Sequence, residues 1–214
     1  MVKIERTEIE IKTWSRKNHF NFYKDFPDPN FNICFSLDIT HAYQFAKQHK
    51  LSPFLVLMYV SSHACNSVEA FRIRINEHKK PYLINYVEPS ATVAKEDGVF
   101  NFCNMKHQES LNQFININSK CIETSLKEEP LAQIENQDNQ IFYSITPWLN
   151  FTGYKHAKGD GYFDIPRIVF GKFNTLANQV TMPVSIELHH AIADAIDIAR
   201  YQEKFTEIMK TLSV

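Results

Sequence analysis

The sequence predicts an α+β fold: a two-layer α/β sandwich in which helices pack on one side of a mixed β-sheet. Three observations lead there. The 214 residues are 44% hydrophobic and 13% aromatic, enough to bury a substantial core in one domain spanning 1–214. Four segments carry helical patterning: Thr40 to Lys50, the apolar run after Ser52-Pro53, Gln108 to Leu126, and Ile192 to Leu212. Between them lie alternating runs joined as hairpins, without the regular β-α-β order of a doubly wound sheet.

Element by element, Thr40 is expected to cap a helix reaching Lys50, with Tyr43, Phe45 and Ala46 supplying its apolar stripe. Ser52-Pro53 reads as a second start, cap followed by proline in the first turn. The run Phe54 to Val60 is apolar on every side, so this helix belongs in the core and continues to about Asn66. Phe71 to Ile75 alternates Phe-Arg-Ile-Arg-Ile, predicting a half-buried strand with its arginines on one face. With the turn 76–81 and the run Tyr82 to Val87 it forms a hairpin. Ala91 to Ala94 predicts another strand, and Gln108 to Leu126 a helix. Strands follow at Ile141–Thr146, Arg167–Phe173 and Val180–Leu188, with a turn over Asn174–Gln179. Ile192 to Leu212 closes the chain as a helix. The polar stretch Gln133–Gln140 reads as a surface loop.

Charge and composition narrow the function. A formal charge of −1 and a pI near 6.8 point to neither nucleic acid nor an anionic membrane as partner. The longest apolar stretch, Pro53 to Val60, is far short of a membrane span of about 18 residues. The N-terminal MVKIERTEIEIK is charged throughout and lacks a signal peptide's apolar centre, so a cytoplasmic location is expected. Cys34, Cys65, Cys103 and Cys121 form no C-x-x-C pair and read as reduced thiols, with neither a zinc site nor a disulfide framework expected. A catalytic cysteine stands as a separate alternative.

The segment that invites chemistry is His189-His190-Ala191-Ile192-Ala193-Asp194, at the end of a strand. Neighbouring strand residues face opposite ways, so one histidine is expected to be packed and the other available. Three readings compete. The histidines are buried and hydrogen-bonded while Asp194 starts a helix; or His189, His190 and Asp194 hold a metal, against which the opposed faces argue; or one imidazole is a general base, for which its neutral form near pH 7 is suited.

The motif His-His-x-x-x-Asp is the signature of coenzyme A-dependent acyltransferases, and its surroundings resemble the type A chloramphenicol acetyltransferase family. The opening Trp14-Ser15-Arg16-Lys17-Asn18-His19-Phe20-Asn21-Phe22-Tyr23 is similar to that family's W-x-R-x-x-H-F-x-F-Y. Leu37-Asp38-Ile39-Thr40, Phe71-Arg72, Pro147-Trp148-Leu149-Asn150-Phe151 and Pro183 to Asp194 match further motifs in the same order, with Glu187 and Leu188 replacing Gln and Val in the last.

The resemblance implies an O-acetyltransferase that binds no permanent cofactor and uses acetyl-CoA, or another acyl-CoA, as co-substrate. The acceptor would be a small hydroxylated molecule, chloramphenicol in the family. It implies His190 as general base and Ser144 as oxyanion donor. Asp194 would pair with Arg16 and hold His190 in place instead of relaying its proton. Trp148, Lys172 and Phe173 would line the coenzyme A tunnel, and Tyr23, Ala91 and Ala94 the acceptor pocket. It also implies a homotrimer with active sites between subunits. The family pattern is broken at Ala195, where glycine is usual, at Val169, where a threonine assists the oxyanion, and at Ala91 and Ala94, where phenylalanines stand. The acceptor site is therefore expected to be roomier, and a degenerate homologue that binds without turnover is the alternative.

Overall fold

The computed structural model describes residues 3–96, 98–129, 131, 138–157 and 164–213. Its elements run β1 (Arg6–Glu8), α1 (Lys17–Tyr23), β2 (Asn30–Asp38), α2 (Thr40–Gln48) and α3 (Pro53–Ser67). A 3₁₀ turn (Glu69–Arg72) leads to β3 (Ile73–Ile75), β4 (Pro81–Ile84), β5 (Glu88–Ala94), β6 (Phe100–Asn104) and α4 (Leu111–Lys127). Then follow β7 (Gln140–Ile145), β8 (Arg167–Phe170), β9 (Asn174–Leu176), β10 (Gln179–His189) and α5 (Ala195–Lys210). The large sheet has the order β2-β10-β8-β7-β5-β6, with β9 on β10. It is mixed, because β5, β7 and β8 are parallel to one another while the remaining pairs are antiparallel.

Helix α3 explains why one face of this sheet is so apolar. It contacts α2, α4, α5 and β5 at once, so Leu55, Val56, Leu57, Met58 and Val60 are all buried. Each such side chain contributes about 1.5–3 kcal/mol by leaving water. Opposite them stand Tyr143, Ile168, Phe170, Val184, Ile186 and Leu188, alternate residues of β7, β8 and β10. Hydroxyls inside this layer pair with one another. Ser61 Oγ lies 2.7 Å from the hydroxyls of both Tyr143 and Tyr201, tying α3 to β7 and α5. The helix begins as expected: Ser52 Oγ accepts from the Leu55 N–H, and Pro53 takes the first position.

Alternation also sets the other face. Ser144, Val169, Ser185, Glu187 and His189 point away from the helices, with Ser144 paired to Val169 and Val169 to Ser185. Part of this face is covered by the segment after Thr146. A Cβ on Gly171 would come within 2.5 Å of Pro183 Cγ and 2.8 Å of the Leu149 carbonyl, so the crossing requires glycine. A three-stranded antiparallel sheet, β1-β4-β3, forms a separate layer. Phe20 of α1 joins Ile73, Ala191 and Ile192 in a second small core beside it.

Several expectations change. Phe71 and Arg72 belong to the 3₁₀ turn, leaving only Ile73–Ile75 extended. Arg74 does not face water: it is fully buried and donates to the carbonyls of Phe71, Ile73, Asp138 and Gln140. A guanidinium with five donors can be taken inside when carbonyls meet it, and alternation alone does not reveal that. Thr40 is the first helical residue of α2, not its cap; its N–H donates to Asp38 Oδ1 and its hydroxyl accepts from Val180 N–H. Asn174–Leu176 is a strand, with Ala177 taking a positive φ of 51° in the turn to β10. The expected loop Gln133–Gln140 lies mostly outside the described residues, and Gln140 opens β7. No helix among the described residues is long and apolar enough to cross a membrane.

Candidate active site

Strand β10 carries the sequence to His189, where the sheet ends and a turn begins. His189 is buried and its Nδ1 accepts from the Ala191 N–H at 3.1 Å, so its proton is on Nε2 and the ring serves the turn. His190 leaves the strand direction. Its N–H donates to the Pro29 carbonyl, and its half-exposed ring stacks on Tyr23, centroids 4.3 Å apart and planes 15° from parallel. Phe31 closes a second side at 4.6 Å. The two histidines thus separate into one packed and one available.

The ring of His190 is oriented by its own loop. Its Nδ1 lies 3.2 Å from the Ala193 carbonyl, which can only accept, so Nδ1 carries the proton and Nε2 has the free lone pair. The side chain can therefore act as a base through Nε2. Asp194 Oδ1 lies 3.3 Å from the same Nδ1.

Arg16 determines the path of that loop. Its Nε donates to the Ala191 carbonyl (3.0 Å), Nη1 to Asp194 Oδ2 (2.6 Å), and Nη2 to the carbonyls of His190 (2.7 Å) and Ala193 (2.6 Å). One planar fork thereby ties the chain before α1 to four of the five positions 190–194 around the turn, with its side chain only 16% exposed. Burial raises the Asp194 carboxyl pKa, but hydrogen bonding and charge from Arg16, with the charges of His190 and His19, outweigh it and hold it below the usual range. This carboxylate is a strut first and a charge neighbour second. Committed to Arg16, it does not converge with His189 and His190 as a metal site would require. His63, His107 and Glu109 gather elsewhere, with ligand atoms within 4.8 Å of one another.

Asp194 is the N-cap of α5, its N–H donating to Asp197 Oδ2 at 2.9 Å. Ala195 is therefore the first helical residue, and its φ is not among the positive values found in the described chain. An ordinary helical residue needs no glycine, so the departure at 195 leaves the loop undistorted.

Other expected site residues do not gather at His190. Ser144 is level with Ser185, two strands away from β10 and four residues before the strand's end. At about 3.3 Å per residue and 4.8 Å per strand, its Cα is roughly 16–19 Å from the histidine turn. No common atom can be reached by both side chains within one chain. Trp148 is 67% exposed, and Lys172, also exposed, donates its N–H to the Leu149 carbonyl, so these two share a surface. Phe173 turns toward α2, meeting Tyr43 edge-on at 5.9 Å. Ala91 is wholly buried on the helix-covered face beside Tyr143, whereas Ala94 points to the opposite face at the exposed end of β5. The two alanines thus stand on opposite faces of one strand and do not line a common surface of this chain.

The surroundings also contain residues the sequence reading passed over. Phe22 and Phe26 form an aromatic cluster with Tyr23 at centroid distances of 4.9–5.2 Å, and they remain 63% and 43% exposed. Phe31 belongs to β2, whose Phe31-x-Ile33-x-Phe35-x-Leu37 alternation was the available signal.

A family model for chloramphenicol acetyltransferase matches residues 4–206. Among relatives, a chloramphenicol acetyltransferase from Escherichia coli is 28% identical over 200 residues, covering 91% of this chain and 89% of that protein. One from Staphylococcus aureus is 27% identical over 207 residues, covering 94% and 95%. A solved structure described as a chloramphenicol acetyltransferase superposes with a TM-score of 0.88 at 23% identity, covering 96% of this chain and all of the other. The fold is shared more widely: an Azotobacter vinelandii dihydrolipoamide acetyltransferase gives a TM-score of 0.68 at 13% identity, over 91% and 86%. With its family model spanning nearly the whole sequence, this chain belongs to the chloramphenicol acetyltransferase family.

Proposed function

We propose that the protein moves the acetyl group of acetyl-CoA to a hydroxyl of chloramphenicol or a similarly small alcohol, with His190 as general base. The observation that carries the reading is the orientation of one ring: Nδ1 is held by Ala193, the loop beneath it is clamped by Arg16, and Nε2 is left as the only basic nitrogen. Nε2 takes the acceptor's proton as its oxygen attacks the thioester carbonyl. The tetrahedral intermediate then expels the CoA thiolate, which recovers the proton from the imidazolium. No acyl-enzyme is required, so acceleration comes from holding two substrates in line and from stabilising the oxyanion.

Ser144 is the oxyanion donor in this reading, supplied by a second copy of the chain. Two features support the assembly. The separation of Ser144 from the histidine turn leaves a single chain without a complete site. The exposed Phe22 and Phe26 beside His190 form an apolar patch of the kind that a neighbouring subunit covers. A homotrimer with shared sites satisfies both. Trp148 would face the adenine of coenzyme A, Lys172 would meet a phosphate, and Phe173 would back the tunnel from the α2 side. Tyr23 and Ala94 would border the acceptor. The case for a degenerate homologue rested partly on Ala195, and its place as an ordinary helical residue removes that ground.

The test is release of free CoA thiol from acetyl-CoA in the presence of chloramphenicol and a panel of small alcohols. Release that depends on acceptor and disappears in His190→Ala supports the reading; thiol release indifferent to His190 defeats it.

A further inference from the structure

Two thiols that the acetyl-transfer reading does not use are held together at the far edge of the sheet. Cys103 of β6 and Cys121 of α4 are eighteen residues apart in sequence, and their sulfurs lie 2.6 Å apart, with Cys103 donating to Cys121. A disulfide bond measures about 2.05 Å, so little more than half an ångström of movement separates the pair from bonding. The helix that brings Cys121 here packs directly on β6, so the approach is built into the fold.

The two sulfurs differ in a way that assigns roles. Cys103 is wholly buried, whereas Cys121 is half-exposed and opens on a groove of about 450 Å³ lined by Phe102, Asn104, Lys106, Lys120 and Glu128. The hydrogen bond from Cys103 lowers the Cys121 pKa; burial opposes this, and the charge of Lys106 assists it. The same contact, together with burial, raises the Cys103 pKa. Lys120 is exposed on the groove, while Lys106 is engaged with Glu88 at 2.9 Å. The remaining cysteines offer no such partner: Cys65 is buried with its thiol pushed up to about 12, chiefly by burial, and Cys34 donates to Asn32 Oδ1.

We propose that Cys121 and Cys103 form a dithiol site that takes a small anionic disulfide, of the glutathione disulfide class, and is converted by it to an internal disulfide. Cys121 thiolate attacks one sulfur of the bound disulfide, expelling one thiolate and leaving a mixed disulfide on Cys121. The expelled thiolate takes the Cys103 proton. Cys103 sulfur then attacks Cys121 Sγ and expels the second thiolate, which takes from water the proton that Cys121 released to it on ionising. The protein loses two electrons and two hydrogens, and the small disulfide is reduced to two thiols. The product locks α4 to the edge strand, remote from His190 in sequence and on a different element.

The experiment uses the tag-free, fully reduced protein, incubated with glutathione disulfide, alkylated, and read by intact mass and peptide mapping. The wild type should lose two hydrogens, yield a Cys103–Cys121 cross-linked peptide and keep no glutathione at this pair. Cys103→Ser should instead trap one glutathione on Cys121, and Cys121→Ser should do neither. Lys120→Glu should slow the reaction with glutathione disulfide roughly three- to tenfold while leaving that with neutral hydroxyethyl disulfide unchanged. Free alkylation of both Cys103 and Cys121 in the wild type, or glutathione trapped on Cys34 instead, overturns the proposal. Equal slowing with both disulfides refutes recognition of the anion by Lys120.

Discussion

Replacing Arg16 by alanine should loosen the turn that holds His190, lowering stability and turnover together. The guanidinium makes four hydrogen bonds within 3.0 Å, three to backbone carbonyls and one to Asp194. Hydrogen bonds to a charged group contribute about 1.5–3 kcal/mol each in isolation, but they share one side chain and do not add. Removing one partner of a buried pair costs about 3–5 kcal/mol. Asp194 is 34% exposed and water can replace part of what is lost, so about 2–4 kcal/mol is the reasoned figure here. For a chain of this length that lowers Tm by about 4–16 °C, compared at one protein concentration because assembly contributes to stability. Catalysis should suffer more, since a displacement near 1 Å can cost about a hundredfold. Arg16→Lys should recover little, because an ammonium cannot reach three carbonyls and a carboxylate in one plane. Differential scanning calorimetry and CoA-thiol release on the same samples provide the assay. A Tm within about 1 °C of wild type together with unchanged kcat/KM would refute the clamp.

Other outcomes follow from the same geometry. Ala195→Gly should cost up to about 1 kcal/mol in helix stability without raising activity, whereas a gain in kcat would mean that alanine strains the loop. Ser144→Ala should reduce kcat on the order of 10²–10³-fold with little change in Tm; a loss below tenfold would deny it the oxyanion role. Mixing equal amounts of His190→Ala and Ser144→Ala chains through dissociation and reassembly should restore roughly a quarter of wild-type activity, because each mixed cyclic trimer regains one intact site. No restoration in demonstrably mixed oligomers would argue for sites within single chains. Acid should weaken the fold in two stages. Burial, with the charge of His63 and against the attraction of Glu109, depresses His107 to about 4, so the unfolded chain binds more protons between pH 6.5 and 4. Stability present above pH 6.5 is therefore lost on the order of 3 kcal/mol as pH falls to 4, and His107→Gln should flatten that decline in Tm. Asp194, depressed below the usual 3.8, adds a further loss only below that value.

The fold was legible wherever burial wrote a period into the chain. α3, α5, β5, β7 and β10 follow the alternating or all-apolar patterns that predict them. The short β1, with every residue exposed, has no apolar pattern to read, and α1 buries only Phe20. Arg74 misled because its burial is compensated by carbonyls of residues as distant as Asp138 and Gln140, which no local window contains. At the candidate site, two histidines and an aspartate could be read only as competing chemistries. Choosing His190 from the residues themselves needed the Ala193 carbonyl and the Arg16 fork, the latter from 174–178 positions away. Ala91 and Ala94 were paired by motif although three residues apart on a strand, where alternation sends them to opposite faces. Cys103 and Cys121 passed as unrelated thiols because strand-to-helix contacts leave no spacing signature.

In the proposed reaction His190 Nε2 removes the acceptor's proton. This role is tested most directly by following CoA-thiol release with acetyl-CoA and chloramphenicol for wild type and His190→Ala, with Tm measured on both. Acceptor-dependent release is expected from the wild type, and a loss of at least about 10²–10⁴-fold in the variant, the range a general base supplies, with the fold intact. A folded His190→Ala protein that releases thiol at the wild-type rate would contradict it.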